Sequence, residues 1–442
     1  MLACLGLALG MAVGEVQAVS GASETGEATT QRQLSPAEMF SLADRAWRSG
    51  DPVLAEKVLL ALADNPDRRL HNEARFRLAM LYRSQKRETE AAVLLRRILD
   101  EEPDAARVRL ELAALLRTLG DNQAALRELR AVQSGSLSGK AAQFVDRIAA
   151  SLQAEKPFGL YVELALAPDS NINRATRSDT LDTVIGEFDI GDEGKERSGI
   201  GGALRIMANW RAPLSSRVQW HSRITGQANI YRQSDFNDIA VEIASGPEMP
   251  LGKGRVSIDA IAGQSWFGMS PSQRSARLAL GVAYPLNPVS QLRIDLSGGR
   301  QQNLFNSLQT AWSAVGQARL ERALSPRLYM AASVGAARLK ANDDAFSTWS
   351  WNTGIAATRE VGRASVTASL DYGKLKADER LVLLPRARED TSIRAQIGAV
   401  FRQVTLYGMS PFARLSYERN RSTVEFYDYS RVRTEFGMSR AF

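Results

Sequence analysis

From Pro157 to the last residue, apolar and polar side chains alternate with a period of two, segment after segment. Val256, Ile258, Ala260 and Ala262 alternate with Arg255, Ser257 and Asp259; Leu292, Ile294 and Leu296 alternate with Arg293, Asp295 and Ser297. In a strand this places the apolar residues on one face. A soluble sandwich would bury its apolar faces against each other as a dry core. Here the opposite face carries charges of both signs in strand after strand, which fits a hydrocarbon-facing exterior around a wet interior. The final stretch obeys the same rule. Phe442, Arg440, Met438, Phe436, Thr434 and Val432 share one face, and Ala441, Ser439, Gly437, Glu435 and Arg433 share the other. Lipid offers backbone N–H and C=O groups no partner, so such a sheet must close on itself.

Fourteen alternating segments are expected, at about 158–167, 198–210, 217–231, 239–250, 254–264, 274–284, 291–301, 310–321, 327–338, 347–358, 363–373, 390–401, 411–418 and 431–442. Short turns at Arg211-Ala212-Pro213, Pro285-Leu286-Asn287-Pro288, Leu324-Ser325-Pro326 and Glu360-Val361-Gly362 alternate with longer polar connections at 168–197, 302–309, 339–346, 374–389 and 419–430. Short periplasmic turns and long external loops are the rhythm of an outer-membrane barrel. An even strand number puts both barrel termini on the periplasmic side. Tyr161, Trp210, Trp220, Trp266, Trp312, Trp349 and Trp351 lie near segment ends and are candidates for interfacial girdles.

The first third reads differently. Residues 1–18 have an apolar run and a small-residue site after Ala18, as in an export signal, although a basic leader is missing. Residues 19–34 are small and polar, a flexible leader. Ser35-Pro36-Ala37-Glu38 then supplies a capping serine, an N-terminal proline and an early glutamate. Helical periodicity runs from 35 to 152 with a 34-residue repeat: Arg75, Leu78, Ala79 and Tyr82 recur as Arg109, Leu112, Ala113 and Leu116, and Ala91, Leu95 and Arg96 as Ala125, Leu129 and Arg130. Gly120 stands where Lys86 stood, at the turn between paired helices. This resembles the tetratricopeptide repeat, whose arrays present a concave protein-binding surface. The expected fold is therefore α + β and multidomain: N-terminal TPR-like repeats in the periplasm, then a transmembrane antiparallel β-barrel of about fourteen strands over 157–442.

Composition narrows the chemistry. Cys4 is the one thiol, and His71 and His221 are the only imidazoles. No imidazole–thiolate metal site and no Cys/His nucleophilic pair can be assembled from these. No cofactor is expected. A formal charge of +7 with mixed, scattered signs carries no nucleic-acid motif.

The first barrel segment runs into Pro168-Asp169-Ser170-Asn171-Ile172-Asn173-Arg174. Pro168 ends the strand, and the Asp, Ser and Asn side chains can bond back to turn backbone, so the run is a candidate rim or lumen motif. With the helical section before it and the barrel after it, this run resembles the surface lipoprotein assembly modifier (Slam) family. The resemblance implies transport without covalent chemistry. Cargo would be a surface lipoprotein or a related secreted haem-binding protein, received by the helical section and passed across the outer membrane with the barrel's help. Further implied partners are the barrel assembly machinery, periplasmic chaperones and outer-membrane lipid. Phe436, Met438 and Phe442 on the last strand are the expected barrel-assembly signal. Four rivals remain open at the level of sequence: a polysaccharide exporter, which also joins helical repeats to a barrel; a diffusion porin, which needs no helical section; a barrel enzyme, for which His221 lacks an identifiable partner; and a soluble repeat scaffold with a β-sandwich.

Overall fold

The structure is a computed structural model that describes residues 34–442 except 120, 134–157, 216, 363, 402–403, 408 and 442. The expected signal, nearly all of the leader, the helical stretch 134–152, Gly120 and Phe442 lie outside the described residues.

Six helices come first: α1 (Pro36–Arg48), α2 (Pro52–Ala63), α3 (Arg68–Ser84), α4 (Glu88–Glu101), α5 (Ala106–Thr118) and α6 (Asn122–Gln133). At the start of α1 the Ser35 side chain accepts from the Glu38 N–H, and the Glu38 carboxylate accepts from the Ser35 N–H at 2.9 Å, satisfying two of the donors a helix start leaves free. The helices stack as antiparallel pairs. The repeat positions are what packs them: Leu78, Ala79, Ala91, Leu95, Leu112, Ala113 and Ala125 are all 0 % exposed. Alanines at the hairpin contacts let backbones approach, and leucines fill the space between pairs. Arg75 and Arg109, 34 positions apart, play equivalent parts, the first bonded to Glu101 at 2.7 Å and the second to Glu128 at 2.6 Å.

Then follow β1 (Phe158–Asp169), a small hairpin of β2 (Thr180–Thr183) and β3 (Gly186–Asp189), and the remaining barrel strands: β4 (Gly199–Pro213), β5 (Gln219–Tyr231), β6 (Asp238–Leu251), β7 (Gly254–Phe267), β8 (Ser270–Asn287), β9 (Ser290–Asn303), β10 (Ala311–Ser325), β11 (Leu328–Ala341), β12 (Thr348–Val361), β13 (Ala364–Ala377), β14 (Glu389–Val400), β15 (Ser410–Ser422) and β16 (Tyr429–Ala441). β1 and β4 to β16 form one closed antiparallel barrel of fourteen strands, with β1 paired to both β4 and β16. All fourteen expected segments are present.

Two expectations need correction. Most strands run several residues beyond the sequence bounds, so Arg211–Pro213 and Pro285–Asn287 belong to β4 and β8 and the turns are tighter than read. The first external connection, read as a long polar connection, is not all loop, because it carries the β2–β3 hairpin, a separate two-stranded sheet. Short polar strands of four residues offer little periodicity to read. The external β7–β8 connection is a two-residue turn in which Gly268 and Met269 have φ of +56° and +64°, the left-handed pair a twisted hairpin favours.

Exposure divides the barrel faces. Leu164, Leu278, Leu296, Ile258 and Ile355 are 48–67 % exposed on the outside, as lipid-facing residues are. Trp210 and Trp220 face outward near the helical end, and Trp312 and Trp349 near the far end. Tyr161 departs from the expected girdle: it points inward and donates to Glu163 at 2.8 Å. It alternates in phase with Glu163, and strand parity outweighs its position near a strand end.

The helical section is seated on one barrel mouth. Arg327, in the β10–β11 turn, donates to the Asp100 carbonyl at the end of α4 at 2.7 Å. Buried Arg109 of α5 lies 3.5 Å from Glu360 near the β12–β13 turn. A cavity of about 510 Å³ is lined by both parts, with Arg96, Arg127 and Glu128 facing Arg319 and Tyr329. That mouth is the periplasmic one, and the opposite mouth faces the cell exterior.

Four external loops share one design. In each, a three-residue helical turn (Ser234–Phe236, Ser307–Gln309, Asp344–Phe346, Glu425–Tyr427) is followed by a polar residue that reaches back to the end of the preceding strand. The side chains of Asn237, Thr310, Ser347 and Asp428 accept from the backbone N–H of Tyr231, Asn303, Ala341 and Ser422 at 2.8, 3.2, 2.9 and 3.3 Å. These loops are self-stapled caps; the connections at 170–198 and 378–388 are longer.

Candidate functional site at the barrel seam and outer rim

The barrel closes where β1 meets β16. Residues Tyr161 to Leu166 pair with Ala441 to Phe436, and then pairing skips Ala167 and Pro168 before resuming at Asp169 and Arg433. Pro168 has no N–H to give to the ladder. The opposite edge of β1 pairs with β4 without interruption from Phe158 to Asp169. Close approach at the seam depends on Gly437, where a Cβ would lie 2.0 Å from the Leu164 carbonyl oxygen.

Behind this weakened ladder the lumen wall is stitched by charge. Arg414 of β15 donates to Glu163 of β1 at 3.0 Å and to Glu435 of β16 at 2.5 Å. Arg205 of β4 pairs with Glu163 and with Glu435, the latter at 2.8 Å. Arg433 adds a contact to Glu435 at 3.0 Å and donates to Asn229 at 2.7 Å. Five strands, β1, β4, β5, β15 and β16, are thus bridged by charge-assisted bonds, the strong class of hydrogen bond. Arg394, Arg174 and Glu418 extend the wall outward, and a cavity of about 290 Å³ opens in front of it. Arg255, expected to face inward, does so against Glu248 at 3.1 Å.

The Pro168–Arg174 run sits at the outer end of this seam, and most of its polar groups have a partner. Asp169, 4 % exposed, receives the Arg431 Nε at 2.9 Å and the Tyr231 hydroxyl at 3.2 Å, and accepts from the Asn171 N–H at 3.1 Å. The Ser170 N–H donates to the Val432 carbonyl at 3.0 Å, and the Ser170 hydroxyl oxygen accepts from the Val432 N–H at 2.9 Å. Asn171 is fully buried; its amide donates to the Ala175 and Ser430 carbonyls at 2.8 and 3.1 Å and accepts from the Ala175 N–H at 3.0 Å. Ile172 packs beside Gly199, and its N–H donates to the Arg197 carbonyl at 2.7 Å. Asn173 bonds Lys195 and Arg197, at 2.7 and 3.0 Å, on the returning arm of the same loop. Arg174, half exposed with φ of +48°, faces the lumen cavity, 3.7 Å from Glu418. The run therefore ties the first external loop both to β16 and to itself. Sequence alone showed the turn-forming side chains and missed Glu163, on the same strand, and Arg414, Arg431 and Arg433, which come from strands more than two hundred residues away; all had only their period-two phase as a signal.

Of the last-strand residues, Phe436 and Met438 lie on the outer face opposite Leu166 and Leu164, with Phe436 56 % exposed. The inward histidine, His221, has acquired a partner that sequence reading lacked: its Nε2 is 2.7 Å from Asp259 Oδ1, out of hydrogen-bond line. Ser257 donates to Asp259 at 3.3 Å and not to the imidazole. A nucleophilic serine needs the imidazole between itself and the carboxylate; here the carboxylate is in the middle. Among the described residues no three His, Cys, Asp or Glu side chains form a group able to hold a metal ion, and no helix is long and apolar enough to cross a membrane.

The sequence model of the family described as Surface lipoprotein assembly modifier (SlipAM) matches residues 159–442. No curated protein matches the chain. Among solved structures, the chain is similar to a Pseudomonas aeruginosa FadL homologue at 10 % identity and a TM-score of 0.39, covering 65 % of this chain and 90 % of that one. It is similar to a loop-deletion mutant of Vibrio cholerae OmpT at 8 % identity and a TM-score of 0.35, covering 65 % and 100 %. It is also similar to a bacterial polysaccharide outer membrane secretin at 12 % identity and a TM-score of 0.34, covering 64 % and 98 %. Likeness at this level carries no functional argument.

Proposed function

This chain belongs to the surface lipoprotein assembly modifier family, and we propose from that membership that its cargo is a surface lipoprotein or a related secreted haem-binding protein. It is an outer-membrane translocation and surface-display factor, not an enzyme. The observation that carries the reading is the family match over the whole barrel. The seating of the helical section on the periplasmic mouth, through Arg327 to Asp100 and Arg109 to Glu360, supports it. Cargo is received by the helical repeats and delivered to the polar lumen. With no nucleotide motif in the sequence, folding of the cargo outside supplies direction.

In this reading the Pro168–Arg174 run is a rim staple. It holds the first external loop clear and closes the outer end of the seam where the β1–β16 ladder lapses. The last-strand residues Phe436 and Met438 on the outer face of β16, with Phe442 after them in sequence, are the signal the barrel assembly machinery reads, and periplasmic chaperones keep cargo unfolded before delivery.

The test is surface display of a lipoprotein encoded beside this gene, read by protease accessibility in intact cells. Removing the protein is expected to abolish display and leave surface polysaccharide unchanged. Removing 36–133 is expected to leave a heat-modifiable barrel that no longer displays cargo. Lost polysaccharide with normal lipoprotein display would overturn the reading in favour of a sugar exporter.

A further inference from the structure

The first external loop holds a segment with a charge pattern unlike the rest of the chain. Residues 178–194 contain Asp179, Asp182, Glu187, Asp189, Asp192 and Glu193 and no lysine or arginine, in a protein whose formal charge is +7. Asp179 is bonded to Lys195 at 2.6 Å. Asp182, Glu187 and Asp189 have no ion-pair partner among the described residues, and they fall on one face of the β2–β3 hairpin. The register places Asp182 directly opposite Glu187, with Asp189 two residues along. Like charges directly opposite each other destabilise a strand pair, and a local rule broken without internal compensation points to a role outside the fold.

The hairpin is also held on one side only. On the β2 side, the Val184 N–H donates to the Leu383 carbonyl at 2.9 Å, tying the hairpin tip to the 378–388 loop. On the β3 side nothing pairs: the small sheet has two strands, and every residue from Gly186 to Asp189 is exposed. An open strand edge is a template for another chain. The second face is apolar, with Leu181 opposite Phe188. Around it, Phe188 is 49 % exposed, Ile185 72 % and Val382 83 %. The edge is four residues long, carries two carboxylates, and has no lysine, proline or bulge.

We propose that the outer edge of β3 is a docking strand for an extended polypeptide segment leaving the barrel, with basic residues on one face and apolar residues on the other. The segment adds as a third strand. Its backbone pairs with β3, its basic side chains meet Asp182, Glu187 and Asp189, and its apolar side chains cover Phe188 and Leu181. The charge sign selects this occupant over the membrane surface, since anionic lipid headgroups would be repelled by the same carboxylates. The inference rests on the export of a polypeptide proposed above.

The test uses the full chain in detergent or nanodiscs and a fluorescent ten-residue peptide alternating lysine and valine. It is compared with a glutamate–valine counterpart and with a lysine–valine peptide N-methylated at alternate residues. The unmodified basic peptide is expected to bind at least tenfold tighter than either comparator, and to weaken at least tenfold with Asp182→Asn/Glu187→Gln/Asp189→Asn. Neutralising carboxylates on other external loops, by Asp235→Asn/Glu379→Gln, is expected to change nothing. Equal binding by the triple variant, an equal loss in the control variant, or undiminished binding of the N-methylated peptide would each overturn the docking strand. In cells the two ideas separate. A triple variant that displays cargo normally, where a strain lacking the protein displays none, removes the docking strand and leaves the export reading. Normal display in the strain lacking the protein removes the export reading itself.

Discussion

Asn171 is a single buried side chain that makes three backbone bonds at the outer rim. Asn171→Ala leaves the Ala175 N–H and the Ala175 and Ser430 carbonyls without their partner, at a cost of about 1–3 kcal/mol. The expected readout is faster protease cleavage within 174–198, with the barrel still heat-modifiable. Lys86 offers the opposite sign. It occupies the turn between α3 and α4 with φ of +60°, where the equivalent turn after α1 has Gly50 at +82°. Lys86→Gly is expected to be neutral or to stabilise the helical section by up to about 1 kcal/mol, measured by thermal loss of helical circular dichroism. Glu101 gives a pH signature. Burial pushes its carboxyl up, but the hydrogen bonds from His71 and Arg75 outweigh that and hold it below the ordinary glutamate range. Its stabilising contribution is therefore complete above the ordinary value, about pH 4.3, and disappears as pH falls through the lowered one. Glu101→Gln is expected to lower helical stability at pH 7, with the deficit shrinking below about pH 4.

Strands and helices were read from the sequence with different success, for physical reasons. Period-two alternation across a lipid boundary is a strong signal, and all fourteen barrel strands carry it closely enough to be found. The β2–β3 hairpin was invisible because its residues answer to each other and to no membrane. The seam network was invisible because Glu163, Arg205, Arg414 and Glu435 meet only through closure. The seam also yields a prediction about the element it closes. Arg431→Met strands the buried Asp169 carboxylate and is expected to cost about 3–5 kcal/mol, seen as a lower temperature for loss of the compact band in gels. The double variant Asp169→Asn/Arg431→Met is expected to recover much of that loss. On the outer face, Leu296 stands midway along β9 and is 48 % exposed. Leu296→Arg should cost about 2–4 kcal/mol, and the same change at Ile294, nearer the periplasmic end, should cost less.

Helices and barrel act together only if cargo moves from one to the other. Order along the chain, repeats first and barrel after, was legible from composition and periodicity. Their docking was not, because it rests on Arg327 and Arg109, which in sequence are two arginines among many. Arg327→Ala with Glu360→Gln is expected to leave the barrel assembled and to lower surface display several-fold, read by protease accessibility. The account as a unit stands on passage through the lumen. The most direct measurement is photo-cross-linking during export, with a reactive residue placed at lumen-facing Gln227 or at lipid-facing Leu278. Cross-links to cargo at 227 and none at 278 are the predicted result. Cargo that reaches the surface without ever touching 227, or that is captured at 278 instead, would contradict it.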